Sequence, residues 1–225
     1  MNYAFPLAPP VTLDAMSSNP FPVRRIIGIA HNYPSPDGTI AKPAEPVFYV
    51  KPASAIVQNN STLPYPTGVS KLLPEVVMAV ALHKGGKNIP AERVDYDYVF
   101  GYAAALDMTD GEALRLAMEN GLPWERAKCL NSSAPCSAIT PEFYAGNIAS
   151  GRIELKVNGE VRLGGNVADM LWKVPETVAW LSTVMELFPG DIIFTGTPAG
   201  TSPVAAGDVL EATVAGLEPL IITIG

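Results

Sequence analysis

No stretch of this chain runs far without a proline or a glycine. The 22 prolines and 19 glycines separate short runs of β-branched and aromatic residues, the pattern of many strands joined by turns. Residues 24–30 (RRIIGIA) and 46–50 (PVFYV) read as strands on either side of the loop 33–45. Residues 75–82 (EVVMAVAL) read as a largely buried strand turning at 84–88, and 99–108 as another apolar strand leading into a helix over Gly111–Asn120. Asn158-Gly159 lies between the alternating residues of IELKVNGEVRLGG. That is a strong hairpin signal, since the tight turn needs positive φ at both central positions. Over 175–187 helical spacing puts Val178, Leu181 and Met185 on one face, with proline in the first turn. Strands at Asp191–Phe194, Val209–Val214 and Leu220–Ile224 complete the set. The fold class expected is α+β and β-rich, with one domain over 23–225 behind a short, loosely structured lead-in at 1–22.

A chain of 225 residues suits one core, able to bury roughly 70% of its unfolded surface. With 48% hydrophobic and 16% charged residues it does not have the composition of a disordered chain. No apolar run approaches the roughly 20 residues a membrane span needs, and residues 1–16 show neither a basic start nor a continuous apolar stretch. A cytoplasmic location is therefore expected. The net charge of −7 argues against nucleic acid or an anionic membrane as partner. Cys129 and Cys136 are too few for a disulfide framework and are expected to be buried free thiols. His31 and His83, the only histidines, rule out a multi-histidine metal site; His83 reads as a solvated turn residue.

Chemistry enters with the strand Asp191–Phe194, which opens into a glycine-rich loop, TGTPAG at 195–200. Ahead of it come Asn32-Tyr33, Lys51-Pro52, Glu75, Gly101-Tyr102, the run LDMT at 106–109, and Ala127-Lys128. Val157-Asn158-Gly159, Asp169-Met170 and Pro189-Gly190-Asp191 follow in order, with Gly207-Asp208 after the loop. This series resembles the fumarylacetoacetate hydrolase family over about nine-tenths of the chain. The runs FPVRRI at 21–26 and PWERAK at 123–128 resemble its fumarylpyruvate hydrolase (acylpyruvase) branch. The resemblance implies a mixed β-sandwich roll with a few short helices, a homodimer, and cleavage or rearrangement of small dioxo acids around Mg²⁺ or Mn²⁺.

Breaking a carbon–carbon bond beside a ketone needs an electrophile for the developing enolate and a base. In the family a metal ion does the first, held by a Glu-x-Glu pair and an Asp. Residues i and i+2 of a strand project to one face, which is why that spacing works. Glu75 and Asp107 match two of these ligands, and Val77 stands at the third carboxylate position. The candidate catalytic residues are Lys128, which matches a family lysine near the metal and the substrate carboxylate, Thr197, whose hydroxyl can meet an oxyanion, and His31, which stands where the family usually has an Arg but can serve as acid or base near neutral pH. Tyr33, Lys51 and Gly196 are candidate substrate contacts. It departs elsewhere: Pro36 stands where the family's loop histidine would be, with no glutamate following, and Asp37 reads as a turn residue beside Gly38. The stretch 110–112 (DGE) replaces an Arg-Asp pair, and 129–131 (CLN) replaces Gly-Phe-Asp.

Taken alone, the same residues also have plainer readings. Glu75 pairs with Lys71 or Lys128, Asp107 caps a helix, Lys51 and Lys128 lie on the surface, and His31 is hydrogen-bonded at a strand end. The expectation is an enzyme acting on a small oxo or dioxo acid of acylpyruvate type by metal-assisted C–C hydrolysis, decarboxylation or tautomerisation. A repurposed, metal-independent isomerase, lyase or cyclase on the same fold is the alternative, followed by a non-catalytic family member.

Overall fold

The computed structural model describes residues 4–6, 8–17, 19–35 and 41–225; Pro36 and Asp37 lie outside the described residues. Two sheets form the body. The larger contains β1 (Arg25–Ala30), β2 (Val47–Pro52), β4 (Leu72–Leu82), β5 (Val99–Asp110), β6 (Thr140–Pro141) and β9 (Asp191–Phe194). Its spatial order is β6-β5-β4-β9-β1-β2, mixed because β9 runs parallel to β1 and antiparallel to β4. The smaller joins β3 (Ser61–Leu63), β7 (Arg152–Val157), β8 (Glu160–Asn166), β10 (Val209–Val214) and β11 (Leu220–Ile224) in the order β8-β7-β10-β11-β3. The β7–β8 turn has Asn158 at φ 53° and Gly159 at φ 84°, as the Asn-Gly pair demands.

The larger sheet is buried on both faces, which is why its strands read as near-continuous apolar runs. On one face Ile27, Val76, Met78 and Val80 pack in a common core with Leu155, Leu210 and Ile222 of the smaller sheet. On the other, Ile26, Val77, Ala79, Ala81 and Phe194 pack with Leu13 and Phe21. The expected loose lead-in is therefore partly ordered. Thr12–Leu13 pairs antiparallel with Phe21–Pro22, and Leu13 is fully buried, because this face of the sheet must be covered.

Strands β4 and β5 extend beyond their apolar runs. Pro74 is tolerated in β4 because β9 pairs only with residues 79–81, leaving Pro74 at a local edge. Helix α1 (Gly111–Asn120) is capped by Asp110, whose carboxylate accepts from the N–H groups of Glu112 and Ala113, and it ends at left-handed Gly121. Asp107 is thus a strand residue, not the cap. A short α2 (Glu125–Lys128) follows. Helix α3 (Val174–Val184) stops earlier than its spacing predicted, since Leu187 turns back to bridge Gly86. Cys136 is buried and Cys129 only partly so, against the expectation of two buried thiols. His83 is exposed, as a turn residue should be. Among the described residues no helix is long and apolar enough to cross a membrane.

Candidate active site

The face of the larger sheet that turns away from the smaller one carries a cluster of charges at one end. Strand periodicity builds it. Glu75 and Val77 share a face of β4, and Glu75 lies directly opposite Asp107 on β5, with Thr109 beside Asp107 on the same face. Tyr49 and Lys51 come from β2 in the same way. Lys128, the last residue of α2, reaches in from above.

The Lys128 ammonium, 4% exposed, donates to Asp107 Oδ2 at 2.7 Å, to Thr109 Oγ1 at 2.8 Å and to Glu75 Oε2. Thr109 in turn donates to Glu75 Oε2 at 3.0 Å, and the Tyr49 hydroxyl donates to Asp107 Oδ2. Lys51 lies 2.8 Å from Asp107 Oδ1 as an ion pair. Its N–H groups go to Ser133 Oγ at 2.8 Å, to the Met108 carbonyl at 3.1 Å and to the Lys128 carbonyl. Two carboxylates and two ammoniums thus neutralise one another in a nearly dry setting, where each unpaired ion would cost several kcal/mol.

Their environments pull the two acids apart. Burial alone would raise Asp107, but Lys128 and Lys51 override it and hold its carboxyl well below the usual range. Burial raises Glu75, and although Lys128 opposes this, its pKa stays above the ordinary value. Lys128 is pulled down by burial and up by Asp107 and Glu75, the net direction being up; it remains an ammonium. Burial lowers Lys51 despite Asp107. The Tyr49 phenol is pushed up by burial and by Asp107, so it stays protonated.

Tyr49 owes its place to Gly28, its partner across β1 and β2. A Cβ at Gly28 would fall 2.2 Å from the Tyr49 ring; only glycine leaves room for the ring to cross toward Asp107.

A cavity of about 180 Å³ opens above this cluster. Glu75, Val77, Asp107 and Lys128 line it, as do His31, Tyr33, Gly196 and Thr197. Glu75 keeps 14% of its side chain exposed, and its Oε1 takes part in none of the bonds above. Asn32 sets the opposite wall by donating to the carbonyls of Trp172 and Thr195 and accepting from the Trp172 N–H. The chain then turns at Gly196, with φ 91°, where a Cβ would press within 2.9 Å of Asn32. Among the described residues, nothing accepts from the backbone N–H groups of Gly196, Thr197 or Gly200, and the buried Thr197 hydroxyl has no partner. These are ready donors for an oxyanion.

The candidate residues separate accordingly. His31 sits on the rim in a left-handed conformation (φ 54°), its ring edge-on to Trp124 at 6.0 Å. Tyr33 is buried with its hydroxyl unpaired. Lys51, expected to meet substrate, is fully buried beneath Asp107 and does not line the cavity. Lys128 is no surface lysine, and it rather than Lys71 pairs with Glu75; Lys71 goes to Glu112. Tyr49 and Thr109 were not singled out from sequence. Period-two spacing was the available signal, placing Tyr49 with Lys51 and Thr109 with Asp107.

A family model described as fumarylacetoacetate (FAA) hydrolase C-terminal matches residues 25–224. The chain belongs to the fumarylacetoacetate hydrolase family. It is 36% identical over 195 residues to an oxaloacetate tautomerase of Arabidopsis thaliana, covering 86% of this chain and 87% of that one. It is 34% identical over 187 residues to a fumarylpyruvate hydrolase of Ralstonia sp, covering 83% and 96%. The crystal structure of fumarylpyruvate hydrolase from Pseudomonas aeruginosa in complex with Mn²⁺ and pyruvate superposes with a TM-score of 0.93 at 34% identity, over 99% of each chain. The expected β-rich fold and the hydrolase branch both stand on these likenesses.

The family's metal meets a different donor set here. Val77, 2% exposed, puts an apolar wall where the resemblance leads one to expect a third carboxylate. The facing oxygens of Glu75 and Asp107 are both spanned by the Lys128 ammonium. Among the described residues no three His, Cys, Asp or Glu side chains converge to hold an ion. A divalent cation seeks about six oxygens, and these residues do not fit it.

Proposed function

We propose that this enzyme catalyses enolisation of a small 2-oxo acid, with keto–enol tautomerisation as its net reaction and without a divalent metal. The observation that carries this is Glu75, which lines the cavity with raised proton affinity and with only its Oε2 bonded among the described residues, set against an Asp107–Lys128 pair that stays ionised. Oppositely tuned neighbours of this kind divide base from electrostatic support. Glu75 takes the proton from the carbon beside the ketone as the C–H bond breaks, and returns a proton to the enolate oxygen. Lys128 supplies the fixed positive charge beside it. The free N–H groups of Gly196, Thr197 and Gly200, with the Thr197 hydroxyl, hold the carboxylate and the oxo oxygen.

Hydrolysis would further require a group that activates water, and the His–Glu pair of the family has no counterpart in the sequence of residues 34–39. The oxaloacetate tautomerase relatives support the simpler reaction. The Mn²⁺ of the Pseudomonas protein is not carried over. The homodimer and the cytoplasmic location expected from sequence accompany this reading, the first checked by light scattering; several relatives are described as mitochondrial.

The test is Glu75→Gln, which keeps the size of the side chain and an oxygen acceptor but cannot shuttle a proton. With chelator-treated protein, decay of the enol absorbance of a 2-oxo acid should slow at least about 100-fold. Full activity in Glu75→Gln would refute the assignment.

A further inference from the structure

A small oxo acid has two ends, and the cavity treats them differently. Its strand side offers the polar groups described above. Its helix side is apolar, built by Leu114 and Met118 of α1 and by Trp124. Helix α1 is turned unusually. It buries only small residues, Ala113 and Ala117, while Leu114 and Met118, a turn apart and on one face, line the cavity. Met118 is 49% exposed. A helix that spends its small side chains on the core and offers larger apolar ones to a cavity makes a surface for an apolar ligand.

Charge points the same way. Among the described residues, the basic side chains on the cavity lining are those of Lys128 and His31. All three Lys128 N–H groups are committed to Glu75, Asp107 and Thr109. The nearby helical Arg115 is held by Glu112 and Glu119, and Lys42 by Glu176 and the Trp172 ring. Residues 36–40, PDGTI, contain no Lys or Arg. His31 and the loop donors suffice for one carboxylate. A second would be stripped of water against Leu114, Met118 and Trp124 without a partner, an unfavourable transfer.

We infer that the substrate is a monocarboxylic 2-oxo acid with an uncharged, apolar tail, and that Leu114, Met118 and Trp124 select it over a dicarboxylic one. This rests on the enolisation reading above. The reaction balances without a co-reactant: a C–H bond at carbon 3 breaks and an O–H bond forms on the former ketone, or the reverse.

The experiment compares kcat/KM for ketonisation of phenylpyruvate enol and of oxaloacetate enol, in wild type, Leu114→Arg and Met118→Arg. The wild type should favour phenylpyruvate at least tenfold. Either arginine, placed on the helix face that lines the cavity, should lower that ratio at least tenfold by raising turnover of oxaloacetate. Met118 is already half exposed, so its variant keeps the test open if Leu114→Arg does not fold. Equal or greater wild-type efficiency on oxaloacetate would overturn the inference and leave the enolisation reading intact. No turnover of either acid above the Glu75→Gln background would remove both.

Discussion

Replacing Lys128 with methionine isolates what its ammonium does, since the new side chain is an unbranched, uncharged match to the old as far as Cε and lacks only the terminal nitrogen. In the wild type the ammonium lies between two carboxylates that face each other across β4 and β5. Among the described residues, removing it leaves Lys51 as the one cation in contact with Asp107 and none in contact with Glu75. Deleting one partner of a buried ion pair costs about 3–5 kcal/mol. At about 2–4 °C per kcal/mol for a chain of this size, the melting temperature should fall by about 6–20 °C near pH 8.

The loss should depend on pH, and its sign follows from which acid is uncovered. In the wild type Asp107 is depressed, so its contribution is present above its unfolded pKa and fades as pH falls through the folded value. Without Lys128, Glu75 is raised further. Its neutral form then stabilises fully below the unfolded value, near about 4.3, and that contribution is lost as pH rises through the folded one. Urea unfolding of the variant and the wild type at pH 5 and pH 8 measures this, with the larger difference expected at pH 8. A difference below about 1 kcal/mol, or one equal at both pH values, would mean that Lys128 is not neutralising the carboxylates.

Two further substitutions probe neighbouring features. Val77→Glu places a second carboxylate beside Glu75: the apo variant should melt lower than wild type, and millimolar Mn²⁺ should raise its melting temperature while leaving wild type unmoved. A wild-type protein whose melting temperature climbs with Mn²⁺ would contradict the misfit argued for the metal. Gly28→Ala drives a methyl into the Tyr49 ring and should cost about 1–3 kcal/mol of stability through overpacking. Turnover should drop as the Tyr49–Asp107 bond is displaced, and unchanged denaturation and kinetics would show that the ring has another route.

Local chemistry made much of the fold legible. Asp191–Phe194, Val209–Val214 and Leu220–Ile224 end where turn residues interrupt them, and Asn158-Gly159 announced its hairpin. The extensions of β4 and β5 were hidden because Pro74 looks like a terminator and the run 107–110 looks like a helix cap. Both appearances yield to pairing between the two strands, a contact distant in sequence. For the candidate site, the sequence marks residues that share a cavity but not how they are wired. Glu75, Asp107, Lys128 and Thr197 do line one cavity. That Lys51 lies under the floor, and that Lys128 spans the carboxylates, depends on how β2 and α2 dock, which no local pattern encodes. Tyr49 was within reach only through its shared face with Lys51.

Strand β2 lies at the border of the larger sheet, with Val47 and Val50 more than a third exposed. Two of its side chains, Tyr49 and Lys51, grip opposite oxygens of Asp107. The periphery of the molecule is therefore wired to a fully buried acid of the site without any intervening layer. A displacement of this border strand by a fraction of an ångström would loosen both grips together. The outermost strand thereby becomes a handle on the chemistry, and the sheet's rim is the place from which the centre is most directly disturbed.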